Sequence, residues 1–82
     1  MSDTTIIEFL EDRYAQLKGG RRELKANDHL ILDLDLDSVD VVEIFVDMED
    51  RFGVDLTENE QAAQVQTVGE VVNLVQDLRA VA

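Results

Sequence analysis

Residues 33–52 read DLDLDSVDVVEIFVDMEDRF, and the fold is read outward from this run. From Ser38 onward apolar side chains recur at helical spacing, and Gly53 follows the last of them. A helix is therefore predicted from about Ser38 to Phe52. Asp37 or Ser38 can cap it, and Asp40 adds negative charge to the first turn, where the macrodipole favours it. Placing Ser38 at zero and turning roughly 100° per residue gathers Val41, Ile44, Phe45, Met48 and Phe52 into one arc, the core face. Val39, Val42 and Val46 fall on a second arc. Asp40, Glu43, Asp47 and Asp50 flank that second stripe on one side, and Glu49 lies on the other. A valine stripe edged by carboxylates is an interaction surface in outline. The pattern alone equally allows the valines to pack beneath a loop or a neighbouring helix. Four acids on one helix face are, by themselves, usually a solvated face.

Upstream, Leu30, Leu32, Leu34 and Leu36 sit at period two. That spacing suits a strand, but nothing else in the chain reads as sheet and a lone strand has no partner. Residues 21–36, basic at the start (Arg21, Arg22, Lys25), are expected as an extended loop whose leucines pin it across a bundle. A first helix is predicted from near Thr4 or Thr5, where Thr5-Ile6-Ile7-Glu8 fits a capping box. Its buried stripe is Ile6, Ile7, Leu10, Tyr14 and Leu17, and Gly19-Gly20 ends it. Downstream, Thr57-Glu58-Asn59-Glu60 reads as the start of a short third helix. Thr67-Val68-Gly69-Glu70 reads as the start of the last, which buries Val68, Val71, Val72, Val75 and Leu78. Gly69 weakens that first turn by roughly 1 kcal/mol relative to alanine. The expectation is an all-α fold: a small four-helix bundle, three helices longer and one short, with a long loop between helices 1 and 2. One domain is expected over residues 1–82.

Composition narrows the function. Nineteen acidic residues stand against seven basic ones, a formal net charge of −12 over 82 residues. Such a surface repels phosphate backbones and so argues against nucleic-acid binding, while it attracts partners with basic patches. Hydrophobic residues make up 45% and fall in periodic clusters, which separates this acidic chain from disordered ones. There is no cysteine and one histidine, His29, so thiolate zinc sites and multi-histidine metal sites are excluded. No apolar run is long enough to span a bilayer, and the acidic N-terminus lacks the features of a signal peptide. A cytoplasmic or organelle-matrix setting is the default, and the Met1 start leads to the expectation of a free-standing protein. A monomer is expected.

The alternating Asp33, Asp35 and Asp37 match the start of a calcium-binding EF-hand loop, but Ser38 stands where its glycine is needed and Ile44 where its bidentate glutamate is needed. What the match leaves is weak cation binding by crowded carboxylates. Nucleophilic catalysis needs a base beside the nucleophile and a third group to orient it. His29, beside Asp28, is the only imidazole, and no oxyanion-hole signature accompanies it, so a partly exposed loop histidine is expected. Ser38 alone is most often an N-cap.

The setting of Ser38 carries more. Asp33-Leu34-Asp35-Leu36-Asp37-Ser38-Val39 resembles the attachment motif of acyl carrier proteins, usually Asp-Leu-Gly-x-Asp-Ser-Leu. The likeness continues through Asp40, Val42, Glu43, Ile44, Met48, Glu49 and Phe52 to the capping Thr67 and Val68. Asp35 stands in place of the family's glycine, and aspartate tolerates the left-handed conformation better than most residues. Val39 stands in place of its leucine. The two departures together point to a specialised carrier with fewer partners.

By that resemblance, Ser38, next to Asp37, would carry a covalent 4'-phosphopantetheine arm donated by coenzyme A through a separate phosphopantetheinyl transferase. The arm would supply the thiol that this chain lacks. The protein, itself no enzyme, would hold acyl intermediates as thioesters and present them to acyltransferases, ketosynthases and related enzymes of fatty-acid or polyketide assembly. The resemblance implies a docking face for basic patches at Val39, Asp40, Val42, Glu43, Val46, Asp47 and Asp50. It also implies an acyl pocket between helices, for which Val41, Phe45, Leu74 and Leu78 are candidates. Two alternatives stay open. One is a peptidyl or aminoacyl carrier, D-alanyl carriers included; Asp37 before Ser38 and the −12 charge favour an acyl cargo. The other is an acidic cation-binding or scaffolding bundle with no prosthetic group.

Overall fold

Asp37 and Gly53 set the ends of the central helix. A computed structural model describes residues 3–81, with side chains for residues 5–80. It contains three α-helices, α1 (Asp3–Lys18), α2 (Ser38–Phe52) and α3 (Val68–Val81), and one short 3-10 helix (Ala62–Gln64). At the mouth of α2 the amide of Asp40 donates to Asp37 Oδ1 (2.8 Å) and the amide of Asp37 donates to Asp40 Oδ2 (3.3 Å). Two helix-end donors are thus satisfied reciprocally. At the other end Gly53 takes φ 68°, a left-handed turn that costs glycine nothing, and its amide donates to the carbonyl of Glu49.

The fold is all-helical, with no strand among the described residues. The fourth helix expected from Thr57 does not form as an α-helix. The amide of Thr57, which a capping box would pair with Glu60, donates instead to Glu49 Oε2 (2.7 Å), and the Thr57 hydroxyl donates to the same oxygen (3.0 Å). Only the 3-10 turn at Ala62–Gln64 follows. The first helix also starts earlier than expected, at Asp3, which places Thr5 within the first turn rather than at the cap.

The core gathers where the helical stripes meet. Ile6 and Leu10 of α1, Ile44, Phe45 and Met48 of α2, and Val68, Val71, Val72, Leu74 and Val75 of α3 are all buried. α1 packs on both α2 and α3. Phe9 of α1 meets Phe52 of α2 edge to face, with ring centroids 5.5 Å apart.

The connection over residues 19–37 adds four leucines to this core. Leu24, Leu30, Leu34 and Leu36 are buried, each stabilising the fold by about 1.5–3 kcal/mol. Leu32 is not among them and stays 80% exposed. The extended reading of this stretch is corrected at residues 29–34. There the chain curls: the amides of Asp33 and Leu34 both donate to the carbonyl of His29, and that of Leu36 to the carbonyl of Leu30. Side chains in a curl no longer alternate, so period two does not predict which leucines point inward. Asp35 then turns through φ 57°, the left-handed geometry that its place in the motif demands.

The connection is bolted to the start of α3. Leu30 donates its amide to the carbonyl of Gln66 (2.8 Å), Val68 to that of Asp28 (3.0 Å) and Gly69 to that of Ala26 (2.8 Å). A Cβ on Gly69 would lie 3.0 Å from the Ala26 oxygen. The glycine in the first turn of α3 is therefore explained by close backbone approach.

Candidate functional site at the mouth of the second helix

Ser38 is the first residue of α2, and it is exposed. Asp37, not Ser38, caps the helix. The hydroxyl is therefore spared the capping work that most often explains a serine at this position. Its neighbours in sequence are the amides of a helix end, of which Asp40's is taken by Asp37.

Beside Ser38 lies a groove of about 480 Å³. Ser38, Val41, Val42 and Phe45 of α2 form one side, Leu56, Ala62 and Val65 form the other, and Ile31 of the turn lines the rim. The far wall is held by one carboxylate. Glu49 Oε2 accepts from the amides of Leu56 and Thr57 (both 2.7 Å) and from the Thr57 hydroxyl. These bonds, that from the Thr57 amide foremost, hold the Glu49 carboxyl below its ordinary pKa. The near rim is held by the imidazole. His29 Nδ1 accepts from the amides of Ile31 and Leu32 (3.2 and 3.1 Å), and its own amide donates to Asp33 Oδ2 (2.7 Å). His29 is thus a half-buried turn organiser, a role no sequence signal announced.

The structure divides the residues singled out from the sequence. Val41 and Phe45 line the groove with Ser38, whereas Leu74 and Leu78 line neither it nor the interior void of about 10 Å³ under α2. Leu74 is consumed by the core and Leu78 packs against it. Their helical period places them on α3's buried stripe, and that stripe does not meet the groove. Val39, Val42 and Val46 are all exposed, so they do not pack under a loop. Of the acids beside them, Glu43 and Asp50 are exposed, Asp40 serves the cap, and Asp47 pairs with Arg13 of α1 at 2.7 Å. Among the described residues no cluster of three or more histidines and carboxylates is placed to hold a metal ion. No described helix is long and apolar enough to cross a membrane.

Residues 16–75 match the family model for the phosphopantetheine attachment site. The chain is 32% identical over 76 residues to the acyl carrier protein of Lactobacillus acidophilus, covering 92% of this chain and 94% of that one. It is 34% identical over 62 residues to the acyl carrier protein of Chlamydia muridarum, covering 76% and 79%. It is 36% identical over 62 residues to that of Helicobacter pylori strain G27, covering 76% and 78%. The chain belongs to the phosphopantetheine-attachment family of acyl carrier proteins. Its cofactor is accordingly a covalently attached 4'-phosphopantetheine, and the family works with phosphopantetheinyl transferases and acyl-processing enzymes.

The residues present fit that group. A tethered phosphate needs an accessible hydroxyl, donors nearby and room for the arm, and the mouth of α2 offers all three. Asp37 and Asp40 oppose an added negative charge. At an exposed position, however, water holds such a repulsion to about 1 kcal/mol at 4 Å, and the helix dipole partly offsets it.

Proposed function

We propose that Ser38 is the attachment residue and that the protein carries acyl intermediates as thioesters for fatty-acid or polyketide assembly in the cytoplasm, catalysing nothing itself. The observation that carries this reading is one exposed hydroxyl, unused as a cap, at a helix mouth that opens on an apolar groove. In loading, the bond made is Ser38 Oγ to phosphorus. The bond broken is the pyrophosphate link of coenzyme A, and adenosine 3',5'-bisphosphate leaves as the hydroxyl gives up its proton. The bound arm supplies a thiol for thioester chemistry. This chain's own residues orient and shelter: Asp37 keeps the helix mouth formed, and Val41 and Phe45 offer apolar surface to a short acyl chain.

Docking falls to the outer face of α2. Val39, Val42 and Val46 supply apolar contact. The exposed Glu43 and Asp50 supply most of the steering toward basic patches, since Asp40 is engaged in the cap and Asp47 is paired with Arg13. The test is direct. Incubation with coenzyme A and a broad-specificity phosphopantetheinyl transferase should add the mass of the prosthetic group to the intact chain, and Ser38→Ala should abolish the gain. A wild type left unmodified beside a modified control carrier would overturn the reading.

A further inference from the structure

Among the described residues, the large apolar side chains that stay exposed are Ile31, Leu32, Val39, Val42 and Val46. Exposed apolar residues scattered singly over a surface need no explanation. These are not scattered. Three stand on the outer face of α2 and two on the 29–34 turn, and Ile31, Val42 and Ser38 line the same groove. Ile31 of the turn and Val42 of the helix therefore share an apolar surface beside the hydroxyl, and Leu32 follows Ile31 on the same turn. Leu32, 80% exposed, is the most protruding of the five.

A protruding leucine on a floppy loop would contribute little, because binding would have to order it first. This one is held. His29 Nδ1 accepts the amides of Ile31 and Leu32, Asp33 Oδ2 accepts the amide of His29, and the carbonyl of His29 accepts the amides of Asp33 and Leu34. Leu30 and Leu34, on either side, are buried and fix the turn to the core. The side chain is thus displayed by a prebuilt frame, and its ordering cost is already met by folding.

We infer that the 29–34 turn is a second docking element, in which Ile31 and Leu32 form an apolar knob that seats in the phosphopantetheinyl transferase that loads Ser38. This rests on Ser38 being the attachment residue. The occupant follows from place and charge. Whatever modifies the hydroxyl must approach the surface that Ile31 and Val42 share with it. Asp33 of the turn, Asp37 at the start of α2 and Glu43 of α2 are exposed on a chain of net charge −12, so the seat is an apolar depression rimmed by basic side chains. His29 is the positioning residue of the knob.

The test is the steady-state loading of Ser38 from coenzyme A by a phosphopantetheinyl transferase, followed by intact mass. Leu32→Ser should raise the carrier's KM about 5–10-fold, as loss of an interface anchor does, with kcat and the melting temperature unchanged. Leu32→Met, which keeps the apolar bulk, should restore the KM to within about twofold. His29→Ala should raise KM in the same direction and add little to Leu32→Ser, since both remove one element. An unchanged KM in Leu32→Ser and in the double variant Ile31→Thr/Leu32→Ser would overturn the knob while Ser38 is still loaded. Failure of the wild type to be loaded at all would instead strike at the carrier reading.

Discussion

Two helices in this chain begin with the same chemical device, in opposite settings. At α2 the side chains and amides of Asp37 and Asp40 satisfy one another. At α3 the amide of Glu70 donates to Thr67 Oγ1 and that of Thr67 to Glu70 Oε1, both at 3.2 Å. Behind the first box come Ser38 and Val39, both exposed. Behind the second come Val68, fully buried, and Gly69, pressed onto the Ala26 backbone. Each end has the same partial positive charge. The difference teaches that the dipole of a helix end does not make a functional site. Access does, and here one mouth faces a groove while the other is closed by the connection over residues 19–37.

The largest expected effect is all-or-none. Ser38→Ala should end loading by a transferase while leaving stability within about 0.5 kcal/mol, as surface changes do. Intact mass and urea denaturation check the two halves, and a large loss of stability would mean that the open mouth is structural after all. Next comes the closed mouth. Gly69→Ala should destabilise the fold by about 1–2 kcal/mol, the overpacking against Ala26 outweighing alanine's better helix propensity. A stabilised variant in urea denaturation would break the contrast. Thr67→Ala and Asp37→Ala should each cost about 1 kcal/mol through lost caps, and equal costs would show that the two boxes differ in setting and not in strength.

A smaller effect concerns the wall of the open mouth. The hydrogen bonds to Glu49 lower its pKa in the folded state, so its contribution is present above the unfolded carboxyl's pKa and lost as pH falls through the folded value. Glu49→Gln should therefore flatten the acid limb of a pH–stability profile, read by thermal unfolding at stepped pH. Smallest is Asp35→Gly. Relief of the left-handed turn is offset by the entropy glycine loses, so stability should stay within about 0.5 kcal/mol by the same denaturation assay.

Much of this was legible in the residues. α2 runs over the expected Ser38–Phe52 because both its boundaries are written locally, in a capping aspartate and a stop glycine. The Thr67–Glu70 box was readable for the same reason. What escaped depends on distant partners. Thr57 carries a start signal, but Glu49 of α2 takes its amide and hydroxyl. Leu32 obeys period two, but the curl around His29 turns it outward. Gly69 reads as a weakness until Ala26 is seen against it. At the candidate site the motif pointed to Ser38, and helical phase set Val39, Val42 and Val46 apart from the core face without saying whether they stay exposed, which the structure shows. Leu74 and Leu78 were not separable from the core, because a helical stripe says which side is buried and not what lies there.

The division of labour between Asp37 and Ser38 has a consequence for the protein's working life. The residue that secures the helix is one position away from the residue that would bear the cargo arm. Attaching, exchanging or stripping that arm would leave the securing bonds untouched. Bare and furnished forms would then share one scaffold, and the molecule could pass through many rounds of use without refolding.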